Sequence, residues 1–311
     1  MTMKLAVIGE PCIDFIYIGN IPPKKQIGGI FYSLISLAIM GKEHEIYPVM
    51  NVGEDEYSFI TYYLKNFPNI RQDFIFRCSH NTRTVNLYYK DINSVLNTHS
   101  KTYDREESST EPVPPVNLSR TDIEFLLQMD GILVNMVSGK DIELETIEEL
   151  MTHYNGHVHI DVHNLVMKTL PGGERVRMPV TDWQRWIRCG DTIQMNIAEF
   201  TIISGNFTEE NSEAEKILNS GRCKALVITK GIEGAAIYTS NNGLRRTDYP
   251  SVKYNVFKDS TGCGDVFASA FFLMNLLNNH NYEESVQYAI AMAGRNASLG
   301  SVEELEKINE Q

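Results

Sequence analysis

Apolar residues along the chain alternate between strand-like and helix-like spacing. Short apolar runs predict buried strands at residues 4–8, 46–52, 131–134, 157–162 and 225–229. Residues 31–40 are apolar almost all round, as expected of a buried helix, and Ser119 has the position of a helix N-cap. Strands that alternate with helices predict a mostly parallel central sheet with helices packed on it.

Two strand-like stretches, residues 13–18 and 84–89, are not followed by a helical pattern. They predict a small sheet outside the main one. Residues 101–117 contain three prolines among charged side chains, so we expect a surface loop or linker there.

Composition narrows the function to small-molecule chemistry. The 311 residues include 28 Lys and Arg against 40 Asp and Glu, a net charge of −12, which argues against a nucleic-acid partner. The five cysteines are scattered without CxxC spacing, which is typical of a reducing compartment. No apolar run is long enough to span a membrane, and the apolar start is interrupted by Gly9 and Pro11, unlike a secretion signal. The sequence therefore predicts a cytoplasmic enzyme with no membrane partner.

The segment Asp259-Ser260-Thr261-Gly262-Cys263-Gly264-Asp265 directly precedes an apolar helix. Small residues at a helix N-terminus let backbone amides approach an anion, and the helix dipole favours negative charge there. A carboxylate beside such an anion hole suits a general base that acts during phosphoryl transfer. A glycine-rich loop with an Asp helix cap explains the same residues equally well on physical grounds.

This segment resembles the Asp-Thr-x-Gly-x-Gly-Asp signature of the ribokinase/PfkB family of carbohydrate kinases. The resemblance implies a ribokinase-like α/β fold over residues 1–311: a central, mainly parallel sheet with helices on both faces, plus a small β lid from about 12–27 and 74–98. It implies that Asp265 is the catalytic base and that the amides of Gly262, Cys263 and Gly264 form the anion hole. In some family members the residues matching Asp259 and Thr261 help to hold K⁺.

Three further matches follow the family's order. Asn196-Ile197-Ala198-Glu199 resembles the Asn-x-x-Glu that organises Mg²⁺ and the ATP phosphates, largely through water. Thr229-Lys230-Gly231-Ile232-Glu233-Gly234 resembles the nucleotide-binding segment, and Gly28-Gly29 and Asp14 match the sugar side. Taken singly, the segment 196–199 is typical of a helix cap and the segment 229–234 of a hairpin turn.

Two departures from the family pattern lie on the substrate side. The family often has an Asn after the di-glycine, where this chain reads Ile30-Phe31-Tyr32-Ser33. Many members carry Asp-x-Asn-x-Arg where this chain has His163 and Leu165 after Asp161. We expect Asp161 and His163 to line the crevice at the strand end. The departures weaken the assignment of a particular sugar more than that of phosphoryl transfer.

Two alternatives stay open. His157, His159, Asp161 and His163 alternate on one face of a strand, which suggests a metal-dependent hydrolase, although neighbours roughly 6–7 Å apart are too far to surround one ion. The altered sugar-side residues also fit a non-catalytic sugar- or nucleotide-binding regulatory protein on a kinase scaffold. A dinucleotide-dependent oxidoreductase is excluded because the turn after the first strand lacks Gly-x-Gly-x-x-Gly.

The favoured hypothesis is therefore an ATP-dependent phosphotransferase acting on a hydroxyl of a sugar or sugar-like molecule. ATP, Mg²⁺ and, by resemblance, K⁺ are the expected cofactors. The apolar stretch 15–18 is expected to be exposed on the lid, where it would allow a homodimer to form.

Overall fold

The computed structural model describes residues 2–90, 105–205, 209–240, 243–252 and 257–309. Its strands are β1 Lys4–Ile8, β2 Pro11–Ile18, β3 Ile21–Gly29, β4 Glu45–Gly53, β5 Phe74–Cys78, β6 Arg83–Tyr89, β7 Arg105–Ser109, β8 Gly131–Asn135, β9 His157–Asp161, β10 Met167–Thr169, β11 Arg175–Arg177, β12 Thr192–Asn196, β13 Ala225–Thr229, β14 Ala235–Thr239 and β15 Arg245–Tyr249. Nine of them form a central sheet in the order β15-β14-β13-β12-β9-β8-β1-β4-β5. Only the β13–β14 and β14–β15 pairs are antiparallel, so β14 alone runs opposite to the other strands of this sheet.

Helices cover both faces of this sheet. They are α1 Phe31–Met40, α2 Tyr57–Leu64, α3 Arg120–Leu126, α4 Leu144–His153, α5 Trp183–Cys189, α6 Ile197–Ser204, α7 Glu210–Leu218, α8 Cys263–Leu277 and α9 Tyr282–Leu299. Leu5 and Val7 of β1 pack into one hydrophobic core with α1, α8 and α9, whereas Ala6 and Ile8 pack into the other with α3 to α7. A strand buried on both faces needs a continuous apolar run, which is why the sequence predicted these strands well.

The lid is a separate four-stranded sheet in the order β3-β2-β6-β7. The expected pairing of residues 13–18 with 84–89 is confirmed, since β2 and β6 are parallel with Ile13 opposite Thr84. The predicted α/β fold, with a central and mainly parallel sheet, helices on both faces and a small β lid, is therefore confirmed as well.

Three details differ from the sequence-based expectation. Phe74–Cys78 was assigned to the lid but pairs with β4 as the edge strand of the central sheet, because its apolar residues pack on that sheet. Arg105–Ser109 was expected to be a loop but supplies lid strand β7. The lid prediction for residues 91–98 lies outside the described residues.

The stretch 15–18 is not an exposed edge, which removes the basis for the predicted dimer contact. Strand β2 is hydrogen-bonded to β3 on one side and to β6 on the other, so it has no free edge. Pairing of β2 with a second copy is therefore wrong, because the edge strands of the described lid are β3 and β7. A homodimer through the lid stays a prediction. None of the helices in the described part of the chain has the length and apolar character needed to cross a membrane.

Candidate active site

Four neighbouring strands of the central sheet end in residues that the site uses. Asn135, Asp161, Asn196 and Thr229 are the last residues of β8, β9, β12 and β13. Asn135 is opposite Asp161 in the β8–β9 register, and Asn196 is opposite Thr229 in β12–β13. Because these strands are parallel, their carboxyl ends form one polar edge.

The segment 259–264, which leads into the first turn of α8, is adjacent to this edge. It is called the anion loop after its predicted role. Gly262 has a φ of 75°, in the left-handed region that glycine adopts without strain, and α8 begins at Cys263. The amide of Cys263 donates to the Ser260 carbonyl at 3.1 Å, which closes the turn. Burial raises the pKa of the Cys263 thiol to about 12, so this cysteine is a small packed residue rather than a reactive thiolate.

Asp265 lies in the first turn of α8 and is 7% exposed. The Asn135 amide Nδ2 donates to Asp265 Oδ1 at 2.6 Å, and His163 Nε2 lies 3.7 Å from the same oxygen. Burial raises the pKa of Asp265, while His163 and the hydrogen bond from Asn135 oppose the rise. Sequence reasoning missed Asn135, and the only signal for it was a polar residue at the end of an apolar strand.

Three carboxylates, those of Asp161, Glu199 and Asp265, influence one another at this edge. Burial raises the pKa of Asp161 well above its usual range, and the charges of Glu199 and Asp265 raise it further. Burial raises the pKa of Glu199 to about 8; the Asn196 amide and the charge of Arg177 oppose this rise, and Asp265 adds to it. Their mutual repulsion favours a positive charge nearby, although the three carboxylates are not placed to ligate one ion together.

Gln194, which sequence reasoning also missed, links this cluster to the anion loop. Its Nε2 donates to Asp161 Oδ2 at 3.1 Å and to the Gly264 carbonyl at 3.0 Å. Gln194 is buried on β12, opposite Asp161 in the β9 register. One side chain therefore fixes Asp161 relative to the first turn of α8.

The Asn-x-x-Glu segment forms a capping box at the start of α6. Asn196 Oδ1 accepts from the amides of Ala198 and Glu199, and Glu199 Oε2 accepts from the Asn196 amide at 2.8 Å. The helix-cap interpretation of the motif is therefore correct, and the cap also holds the Glu199 carboxylate at the carboxyl edge of the sheet.

The Thr229–Gly234 segment is the tight turn between β13 and β14. The Lys230 amide donates to the Gly234 carbonyl at 2.8 Å, with Gly231 and Gly234 both at positive φ. Lys230 Nζ donates to Glu210 Oε1 at 2.9 Å, so its charge is paired within the protein. The turn starts at Thr229, which is adjacent to Asn196 at the same sheet edge.

Asp14, Gly28 and Gly29, which the resemblance assigns to the substrate, lie where the lid meets the core. Asp14 is buried on β2, and Cys12 Sγ donates to its Oδ1 at 3.1 Å. A Cβ on Gly28 would lie 2.0 Å from Asp14 Oδ2, so the carboxylate can pack there only against glycine. Gly29, at a φ of 64°, ends β3, and Ile30 alone connects it to α1.

Asp259 and Thr261 are engaged with each other and with α9. Asp259 Oδ1 accepts from the Thr261 amide at 3.0 Å and from its hydroxyl at 2.9 Å. Asn296 Nδ2 donates to the Thr261 carbonyl at 2.9 Å. These contacts explain both residues as loop structure, and the K⁺ site stays a prediction of the resemblance.

The histidines of β9 do not form the metal site of the hydrolase alternative. His157 Nε2 lies 3.1 Å from Thr192 Oγ1 and 3.0 Å from Asn275 Nδ2, and His159 Nδ1 lies 2.8 Å from Thr192 Oγ1. Burial lowers the pKa of His157 to about 4 and that of His159 to about 3. Across the described ranges, no three His, Cys, Asp or Glu side chains are placed to hold a metal ion. His163 lies beyond the end of β9, where its backbone has a φ of 40°. Its side chain faces Asp265 and not the other histidines.

The comparisons with known proteins agree with this geometry. Residues 161–304 match the model of the pfkB family carbohydrate kinases. The structure is similar to ribokinase from Thermotoga maritima (TM-score 0.73, 20% identity, 99% of this chain and 100% of that chain covered). It also resembles Arabidopsis thaliana ribokinase complexed with ribose and ATP, with a TM-score of 0.72, 17% identity and 99% of both chains covered. A Methanocaldococcus jannaschii nucleoside kinase is similar too, with a TM-score of 0.72, 16% identity, and 100% of this chain and 99% of that chain covered. The comparison with curated proteins gave no match. The resemblance inferred from the motifs is confirmed over residues 161–304, and the similar solved structures confirm the ribokinase-like fold.

Proposed function

Because this chain carries a pfkB-family carbohydrate kinase region over residues 161–304 and the ribokinase-like fold, we propose that it transfers a phosphoryl group from ATP to a hydroxyl of a sugar-like small molecule. The observation that carries the proposal is the buried Asp265 in the first turn of α8, held by Asn135 at 2.6 Å. A positioned carboxylate beside a helix N-terminus combines a base with an anion site in one turn.

Asp265 acts as the general base in this proposal. Its raised pKa makes it a better proton acceptor than an exposed aspartate, because base strength rises with pKa. Asn135 and His163 fix the carboxylate and stabilise its charged form, so it can accept the proton of the attacking hydroxyl. The amides of Gly262, Cys263 and Gly264 lie at the N-terminus of α8, where they would stabilise the transferring phosphoryl group.

Glu199 and Asn196 would hold Mg²⁺ with the donor phosphates. The fit rests on the donor chemistry, because the cap holds the Glu199 carboxylate at the sheet edge, where its charge acts on the buried Asp161 carboxylate. A divalent cation keeping several waters suits carboxylate and amide oxygens, and it would supply charge neutralisation at the phosphates. ATP as donor is supported by the Arabidopsis ribokinase complexed with ribose and ATP. The turn Thr229–Gly234, including Lys230 and Gly231, would border the nucleotide.

The acceptor would bind between the lid and the sheet edge. Asp14, with Gly28 and Gly29, would orient it from the lid side, and Asp161 and His163 from the strand side. K⁺ at Asp259 and Thr261 is the remaining cofactor proposal, and comparing turnover in K⁺ and in Na⁺ buffers tests it.

The test is ADP release from ATP across sugars, nucleosides and sugar acids, with Asp265→Asn as the key variant. We expect turnover with at least one acceptor and a loss of about a hundredfold or more in Asp265→Asn, with ATP binding retained. Asp73→Asn, at an exposed position beside β5, is the matched control and should turn over normally. Near-normal turnover of Asp265→Asn contradicts its catalytic role. Sugar binding without ADP release in the unaltered protein would support the non-catalytic binding protein instead.

A further inference from the structure

Tyr32 lies between the lid and the anion loop. It belongs to the first turn of α1, and its side chain is buried, with 2% exposed. A Cβ added to Gly262 would meet Tyr32 Cδ1 at 2.1 Å, so the ring packs directly against the backbone of the anion loop. The phenol ring therefore occupies the space beside the N-terminus of α8.

The other contact of Tyr32 is with the lid. Gln26 Nε2 on β3 donates to the Tyr32 hydroxyl at 3.1 Å. Gln26 is opposite Asp14 in the β2–β3 register, and directly opposed side chains lie on the same face of a sheet. The lid face that carries Asp14, the proposed acceptor ligand, is thus the face in contact with Tyr32.

Charges around the ring support this placement. Burial raises the pKa of Tyr32 well above its usual range, and the carboxylates of Asp14, Asp259 and Asp265 raise it further. Tyr32 lies near both proposed residues, because it packs on Gly262, three residues before Asp265, and contacts Gln26, which is opposite Asp14. A molecule that bridges Asp14 and Asp265 must share this space with the ring.

The ring limits the space between the lid and the base. One cleft among the described residues is lined by Gln26 together with Lys25 and Phe59, so it reaches the lid residue that contacts Tyr32. The buried ring occupies the space between Gln26 and Gly262. An acceptor held by both Asp14 and Asp265 therefore has to fit beside the ring, which limits its size.

Two buried acceptor atoms near Tyr32 indicate the chemistry of a ligand. Gln26 Oε1 and Asn135 Oδ1 have no hydrogen-bond partner in the part of the chain that the structure describes. Gln26 contacts Tyr32, and Asn135 contacts Asp265. A buried acceptor left unpaired is unfavourable, and ligand hydroxyl groups are donors that would satisfy it.

We propose that Tyr32 sets the size limit of the acceptor, so that the site takes a compact polyol such as a single sugar or cyclitol and excludes nucleosides. This inference rests on the proposed kinase function for the identity of the site, but the size limit is a property of ligand binding as well as of turnover. Tyr32 acts here as a specificity-determining residue, and Asp265 keeps the chemical role.

The experiment measures calorimetric binding and ADP release with ribose, fructose and myo-inositol against adenosine and cytidine. We expect the unaltered protein to favour at least one compact polyol over both nucleosides by roughly tenfold or more in both measurements. Tyr32→Ala should gain nucleoside binding, whereas Tyr32→Phe, which keeps the ring, should retain the size limit. Tyr154→Ala is the matched control, because Tyr154 is 3% exposed and donates to the Met129 carbonyl in the other core.

The outcomes separate the two proposals. Selective polyol binding without ADP release in the unaltered protein contradicts the kinase function and leaves the size limit supported. Nucleosides that bind as tightly as every compact polyol, or no polyol binding at all, overturn the size limit. A folded Tyr32→Ala that still excludes nucleosides also overturns it. If Tyr32→Ala does not fold, Tyr32→Leu, which removes the ring but keeps an apolar side chain against Gly262, replaces it in the same comparison with Tyr32→Phe.

Discussion

The Asn135 amide and the Asp265 carboxylate are 2.6 Å apart, although the two residues are 130 positions apart in the chain. Asn135 ends a strand and Asp265 begins a helix, so the contact joins the sheet edge to the first turn of α8. Asn135 Nδ2 also contacts Ser33 Oγ at 3.0 Å, which ties α1 to the same point. Asn135 therefore positions the carboxylate with an uncharged hydrogen-bond donor.

Removing the Asn135 amide should shift the pH dependence of turnover. A hydrogen bond donated to a carboxylate favours its charged form, so its loss in Asn135→Ala raises the pKa of Asp265. Since the base must be deprotonated, the acid limb of the kcat profile should move to higher pH, and kcat should fall by about tenfold. The measurement is kcat from pH 5 to 9 with saturating ATP and acceptor.

A matched control separates this effect from simple destabilisation. Asn275 is a buried amide on α8, the helix that also carries Asp265. Its Nδ2 lies 3.0 Å from His157 Nε2, outside the candidate site. Asn275→Ala should lower the free energy of unfolding without moving the acid limb. An unshifted acid limb in Asn135→Ala would show that the amide does not stabilise the charged base.

The two glycines of the anion loop should respond oppositely to alanine. In Gly262→Ala, the Cβ meets Tyr32 Cδ1 at 2.1 Å and the backbone has a φ of 75°. We expect the free energy of unfolding to fall by about 2 kcal/mol or more. A Cβ on Gly264 has no heavy atom within 4 Å, and alanine is the better helix former, so Gly264→Ala should be neutral or more stable by up to about 1 kcal/mol. Urea unfolding at neutral pH measures both, and equal losses would contradict the contact with Tyr32.

Local sequence signals identified the parts of the site that are continuous in the chain. The loop at Gly262, the first turn with Asp265 and the Asn196 cap are each determined by neighbouring residues. Asn135 and Gln194 were not predicted as site residues, because their roles depend on contacts with residues far away in the sequence. Gln194 contacts Gly264 across 70 positions, and only the strand order brings the two together.

For the fold, too, local sequence predicted the strands but not their pairing partners. Buried strands were predicted from continuous apolar runs, because such strands are covered on both faces. Phe74–Cys78 was assigned to the wrong sheet, because its residues show that it is a strand but not which strand it pairs with. Arg105–Ser109 is polar and lies at the edge of the lid, so it lacked the apolar alternation that marks a strand.

Arg177 should contribute to binding the phosphate donor. This exposed residue ends β11, and its charge acts on Glu199. Arg177→Gln should raise KM for ATP by about fivefold or more, with a smaller change in kcat, because a guanidinium strengthens phosphate binding. Lys168→Gln removes an equal charge from β10 of the same hairpin, at a position that alternates away from Arg177, and should leave KM unchanged. Equal KM values for both variants would contradict the assignment.

Burial of His157 and His159 should make stability fall in acid. Both have lowered pKa values in the folded protein, about 4 and about 3, against about 6.5 when unfolded. The unfolded chain therefore binds more protons below pH 6.5, and each histidine lowers the free energy of unfolding by about 2 kcal/mol between pH 7 and pH 5. In His159→Gln this loss should shrink by that amount, whatever the variant's stability at pH 7. His153→Gln, at an exposed position at the end of α4, is the control. Its free energy of unfolding, measured with urea, should change with pH as that of the unaltered protein does. The same pH dependence in both variants would show that His159 is not held neutral by burial.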